Sequence, residues 1–132
     1  MSVSRILLYL SIALLAGCVS GSLKSSATLF ENKAEKSLSA GVALYDDGKY
    51  PEAIQSLQEA LTAGLNPDNQ VKAHKYLAFT QCISGKDKLC REEFRKTLEI
   101  NPAFDLSPSE AGHPIWGPVF KSVKAKKPDP KK

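Results

Sequence analysis

Three cysteines and two histidines are the side chains of this 132-residue sequence best suited to bind metal, exchange disulfides or act as nucleophiles. His74, Cys82 and Cys90 fall within one stretch, but structural zinc needs four ligands and no fourth follows at the usual spacing. Redox catalysis uses cysteines two residues apart, and Cys82 and Cys90 stand farther apart than that. His113 precedes Pro114 and has no paired nucleophile, so it reads as a packing or hydrogen-bonding residue. A glycine-rich phosphate loop, a nucleophile elbow and a paired-carboxylate motif are all missing from the sequence. The reading is therefore a non-enzyme with no cofactor and no metal, whose thiols do structural or anchoring work.

The third thiol, Cys18, ends the run Leu15-Ala16-Gly17-Cys18 after an apolar stretch that begins at Ile6, just past Arg5. One positive charge, an apolar segment and small residues at a cut form the layout of a secretory signal peptide. The apolar run is about ten residues, against the roughly 20 that a spanning helix needs. The run resembles a lipobox, the signal of bacterial lipoproteins. That resemblance implies cleavage before Cys18 and acylation of its thiol and amine, and two or more acyl chains hold a protein stably on a membrane. Val19 and Ser20 follow, neither of them the aspartate that resembles an inner-membrane retention signal, so the expected location is the outer membrane, facing the periplasm. A plain secretory signal is the alternative.

Removing residues 1–17 leaves about 115 residues, enough for one small domain. Residues 18–33 are rich in serine and read as a flexible tether. Residues 125–132 read as a basic disordered tail. The net charge of +4 is concentrated towards this end, where Lys121, Lys124, Lys126, Lys127, Lys131 and Lys132 face only Asp129. Such a tail is solubilising, or weakly attracted to anionic lipid or an acidic partner surface. No aromatic platform accompanies the lysines, and a membrane-tethered exported protein does not meet nucleic acid, which is excluded as a partner.

Positioning falls to helices. Leu38, Val42 and Tyr45, then Ile54, Leu57 and Leu61, form apolar stripes at three- and four-residue spacings on either side of Gly48. The outline returns about 37 residues later with Leu77, Ala78, Gly85, Cys90, Phe94, Leu98 and Pro102. Gly48 and Gly85 supply turns, Pro51 suits a first helical turn, Pro67 reads as a stop, and Asp87 as an N-cap. The chain resembles the tetratricopeptide repeat family over 34–67, through Gly41, Ala53, Ala60 and Gly48-Lys49-Tyr50-Pro51-Glu52-Ala53. The copy over 68–102 is degenerate, with Cys90 and Thr97 at small positions and His74 where an aromatic is common. The expected fold is all-α: two tetratricopeptide-like hairpins plus a cap.

The cap is expected over 103–124. Ser107-Pro108-Ser109-Glu110 is a capping box with proline at the first helical position. Gly112 ends that turn, and Ile115, Trp116, Val119, Phe120 and Val123 give one apolar face; Trp116 and Phe120 are expected to pack on the second repeat with Phe104 and Leu106. Cys82 and Cys90 flank the turn at Gly85, where helical-hairpin geometry and an oxidising compartment permit a disulfide. Two buried thiols are the alternative. Stacked hairpins expose a concave surface from the first helix of each repeat, here Leu38, Val42, Tyr45, Asp46, Lys72, Lys75, Phe79 and Ile83. Apolar and basic groups together suit a partner peptide or helix; the other possibility is that tether or cap fills the groove in cis.

The closing segment, Asn101-Pro102-Ala103-Phe104-Asp105-Leu106 and then Glu110-Ala111-Gly112-His113-Pro114-Ile115-Trp116-Gly117-Pro118-Val119-Phe120, joins the lipobox, the repeats and the cysteine pair. Together they resemble the TssQ lipoproteins associated with type VI secretion. That resemblance implies an accessory outer-membrane protein docking on an envelope component of the secretion apparatus. A pilotin-like assembly factor and a regulatory binder of a periplasmic cell-wall enzyme use the same parts and stay open.

Overall fold

A computed structural model describes residues 22–126, all of whose regular structure is helical. The order is α1 (Ser22–Asp46), α2 (Tyr50–Ala63), α3 (Pro67–Ile83), α4 (Asp87–Ile100), α5 (Pro108–Ala111) and α6 (Trp116–Ala125). α1 and α2 form one hairpin and α3 and α4 a second, stacked on it through α3. The architecture is the tetratricopeptide-like all-α fold expected from the periodicity.

The same device closes both hairpins. Gly48 (φ +74°) and Gly85 (φ +71°) adopt the left-handed conformation that side chains disfavour. At each, the glycine N–H donates three residues back, Gly48 to Tyr45 and Gly85 to Cys82. The following lysine N–H donates five back, Lys49 to Leu44 and Lys86 to Gln81. This paired closure satisfies carbonyls that the ending helix leaves free. Lys49 and Lys86 then precede the second helices with no side-chain cap. Asp87 is thus the first residue of α4 rather than its cap, and its negative charge favours the helix start through the dipole instead.

Pro67 also differs from expectation. α2 ends at Ala63 with Gly64 left-handed (φ +98°), and Pro67 opens α3, behind an Asn66 side chain that accepts from the Asn69 N–H at 2.9 Å. Proline lacks the N–H that a first turn leaves unpaired, so the residue that cannot continue one helix starts the next.

The largest departure is at the N-terminal side. α1 begins at Ser22, so residues 22–33 are helical where a flexible tether was expected. No proline or glycine interrupts the sequence from Ser22 to Ala40, and Lys24, Ala27, Leu29, Glu31 and Lys33 are good helix formers. Once the packed part of α1 is formed, each added turn avoids the nucleation penalty. Lys33 lies beside Thr62 and Ala63 at the end of α2, so the turns before it reach past the hairpin.

Two clusters fill the interior. Ala34, Leu38, Leu57, Ala60, Leu65, Ala73 and Leu77 make the first; Ala78, Phe79, Cys82, Cys90, Phe94, Leu98, Leu106, Trp116 and Phe120 make the second. Tyr76 packs against both. Close helix approach in the first hairpin depends on Gly41, where an added Cβ would lie 2.7 Å from Leu57 Cγ. Ala53 and Ala60 are fully buried at the other small positions. In the second hairpin Cys90 and Thr97 take those places, also fully buried, and the Thr97 hydroxyl is satisfied by the Glu93 carbonyl of its own helix at 3.0 Å.

Candidate functional site: the concave face and its cap

The eight residues expected to line a concave groove do not share one fate. Leu38 and Phe79 are buried in the first and second clusters. Val42, Tyr45 and Ile83 are half-buried against those clusters, and Lys75 is half-buried as well. Asp46 and Lys72 are exposed. Over the second repeat the chain's own cap lies on Phe79 and Lys75, the filling in cis that the sequence left open.

The capping box sets that occupation up. Ser107 Oγ accepts from the Glu110 N–H, and Glu110 Oε2 accepts from the Ser107 N–H at 3.0 Å, so the start of the short α5 turn is tied by two reciprocal hydrogen bonds. Glu110 Oε1 then accepts from Lys75 Nζ at 2.6 Å, joining α5 to α3. Burial works against ionisation of Glu110, but the hydrogen bonds from Lys75 and from the Ser107 backbone and hydroxyl outweigh it and hold the carboxyl below its usual range. The same ammonium lies 5.0 Å from the Tyr76 ring centre and 5.7 Å from that of Phe79, a cation over two aromatic faces.

Trp116 completes the closure. Its indole stacks on Phe79, ring centres 4.4 Å apart, and its Nε1 donates to the Glu110 carbonyl at 2.9 Å. The other indole face carries the His113 ring, stacked parallel to it. His113 Nδ1 also accepts from the Ile115 N–H at 3.2 Å, which accounts for this histidine as a wedge beside the tryptophan. Gly117 allows α6 to sit close to α5: a Cβ there would run into the Ala111 carbonyl oxygen. Phe120 meets Phe94 and Phe104 edge-on at 5.1 and 5.8 Å, packing the cap on the second repeat as expected.

Towards the first repeat the aromatic row continues through Phe79 and Tyr76 to Tyr45, whose ring lies 5.2 Å from Tyr76 and 6.0 Å from Tyr50. Burial, with the nearby Tyr50 phenol adding to it, pushes the Tyr45 hydroxyl up to about 12, so it is a neutral donor at any physiological pH. The concave side is thus an aromatic seam within one chain, with Asp46 and Lys72 as its exposed charges.

Cys82 and Cys90 are joined as a disulfide across the Gly85 turn, with Cα atoms 5.1 Å apart and both side chains buried. His74 does not approach them as a ligand. Its Nδ1 donates to Glu93 Oε2 at 2.6 Å, because a carboxylate can only accept, and Lys96 Nζ donates to Glu93 Oε1 at 2.9 Å. No group of three or more metal-ligating side chains forms among the described residues. Lys124, at the end of the expected cap, pairs with Asp105 at 2.7 Å and lies over the Phe120 ring. Cys18, residues 1–21 and 127–132 lie outside the described residues. Among the described residues no helix is long and apolar enough to cross a membrane.

Sequence reasoning treated Glu110 as a cap residue and missed its second role as the partner of Lys75. The signal was its type: a carboxylate that accepts one backbone N–H keeps a second oxygen for a cation. It also passed over the outer side of α4, where Arg91, Arg95 and Leu98 recur at helical spacing beside α6.

Comparison with known proteins gives a partial likeness. The chain is 32% identical over 62 residues to the photosystem I assembly protein Ycf3 of Synechococcus sp. strain CC9605. It is 29% identical over the same length to the Ycf3 of strain CC9902. Each match covers 47% of this chain and 36% of the relative, so the matched stretch spans little more than a third of those proteins. No family model and no solved structure matches.

Proposed function

We propose that this protein is a non-catalytic protein–protein interaction adaptor, held by acylated Cys18 at the periplasmic face of the outer membrane and accessory to a type VI secretion apparatus. The observation that carries the adaptor reading is the stack of two tetratricopeptide-like hairpins sealed by the chain's own cap. Its half-buried pairs Lys75–Glu110 and His74–Glu93 hold helices together, which leaves outward-facing helix surfaces as the working parts. The anchor and the secretion context rest on the lipobox and on the closing motif from Asn101 to Phe120.

The test is photo-crosslinking in cells from probes at Asp46 and Lys72, which are exposed, with captured proteins identified by mass spectrometry. Secretion-apparatus components are the expected catch, and silence at every surface probe would sink the adaptor reading. Palmitate incorporation, lost in Cys18→Ala, tests the anchor separately.

A second reading is favoured by the likeness to assembly proteins: a factor that escorts a subunit to its place. Mislocalisation of that subunit in cells lacking the protein, with the finished machine stable once assembled, would select it over a permanent accessory.

A further inference from the structure

The cap contains one full-length helix where each repeat contains two. α6 lies against α4 and α3 as α3 lies against α2 and α1, so it stands where the first helix of a third repeat would. No second helix covers its outer side among the described residues. An open cleft of about 480 Å³ runs there between α4 and α6. Its floor is apolar, from Leu98 and Val123, and Arg91, Arg95 and Lys126 stand around it. The one carboxylate in its lining, Glu99, already pairs with Arg95 Nε at 3.5 Å. Arg91 and Lys126 make no ion pair among the described residues.

We propose that this cleft docks an acidic amphipathic helix from a partner protein, laid along α4 and α6 in the place of the missing second helix. The proposal deepens the adaptor reading and rests on it. Two helices side by side present a groove whose natural filler is a third helix, read through apolar anchors one turn apart. The surplus of positive charge on the rim selects glutamate or aspartate flanking those anchors and disfavours a basic helix. Residues 127–132 are a poor occupant: Lys127, Lys131 and Lys132 repeat the rim's charge, and Pro128 and Pro130 resist helix formation.

The experiment uses the full chain in detergent and a fluorescein-labelled, side-chain-stapled helical peptide with leucines on one face and glutamates beside them. Fluorescence anisotropy is expected to show binding that weakens with added salt and at least about tenfold in the Arg91→Glu/Arg95→Glu variant. The same peptide with lysine for glutamate should not bind. Both arginines are exposed, but Arg95→Glu gives up the pairs to Glu92 and Glu99, so melting and Trp116 emission are recorded for the variant, and Lys126→Glu, at the rim and in no ion pair among the described residues, serves as a second disruption. The proposal is overturned if the glutamate peptide fails to bind, if the lysine peptide binds as well, or if the double variant binds unchanged. In cells, a probe at Ser122 should give adducts to an acidic segment of another protein, and adducts to a second copy of this chain would overturn the proposal. Capture from Lys72 with silence at Ser122 removes the cleft and leaves the adaptor standing, whereas silence at both removes both.

Discussion

The two hairpins share a turn, a register and a pattern of small residues, yet they are held together differently. The first relies on close approach: Gly41 lets α1 touch Leu57, and Ala53 and Ala60 are fully buried beside it. The second has larger residues at the matching places, Ala78 for Gly41, Cys90 for Ala53 and Phe94 for Leu57, and adds a disulfide, the His74–Glu93–Lys96 network and the cap. A hairpin with small residues at its seam packs backbone to side chain and needs little else. The second hairpin is the last of the stack, so the apolar side formed by Phe79, Phe94 and Leu98 has no further repeat to cover it and is covered by the cap.

The cap should therefore give the largest effect. Trp116→Ala removes the ring stacked on Phe79 and the indole donor to Glu110, and truncations of buried aromatics destabilise by about 3–5 kcal/mol. Urea unfolding is expected to show that loss, with hydrogen exchange rising in α3 and α4 and much less in α1 and α2. Equal loosening of both hairpins would mean that the cap supports the whole stack and that the contrast drawn here is false.

Next comes the disulfide. Replacing Cys82 and Cys90 together by serine should destabilise by about 2–3 kcal/mol, the range for a short closed loop. The oxidised wild type should run faster than the reduced form on a denaturing gel. The pair staples only the second hairpin, so exchange in α1 and α2 should again stay close to wild type. The first hairpin has its own weak point: Gly41→Ala places a methyl 2.7 Å from Leu57 Cγ and 3.1 Å from its backbone nitrogen. Overpacking of this kind costs about 1–3 kcal/mol. Here the loss should appear first in α1 and α2, the mirror image of the cap and disulfide variants. A neutral Gly41→Ala would show that the close seam is not what holds that hairpin.

Much of this contrast was legible in the residues. Gly48 and Gly85, the apolar stripes and the box at Ser107 announce two hairpins and a cap, because turn chemistry and helical period are local properties. Trp116 and Phe120 were recognisable as core from their spacing. What was not legible is which residues the cap meets on the concave side. Phe79 and Lys75 read as groove residues because repeat logic points them outward, and only the three-dimensional path of residues 101–116 shows Trp116 and Glu110 meeting them. The early start of α1 was missed for a different reason: serines suggested a tether, while the absence of glycine and proline after Ser22, a weaker signal, proved the better guide.

The smallest effect expected is at the Glu93 network, and it is conditional on pH. Burial alone would raise the Glu93 carboxyl, but hydrogen bonds from His74 and Lys96 outweigh it and hold the group below its ordinary value of 4.5. A carboxylate depressed in the folded state binds fewer protons there than in the unfolded chain. Its stabilisation is therefore complete above about pH 4.5 and is lost as pH falls through the lower folded value. Glu93→Gln keeps one accepting oxygen and should cost about 1.5 kcal/mol at neutral pH, the low end for hydrogen bonds to a charged group. The gap between wild type and variant should then narrow on acidification, read by urea unfolding at a series of pH values. Glu110, also depressed, remains in both proteins, so it shifts the two curves together and leaves their difference to Glu93. A gap that persists unchanged well below pH 4 would assign the loss to side-chain packing of Glu93. The second hairpin would then differ from the first by its lid and its disulfide, with no contribution from charge.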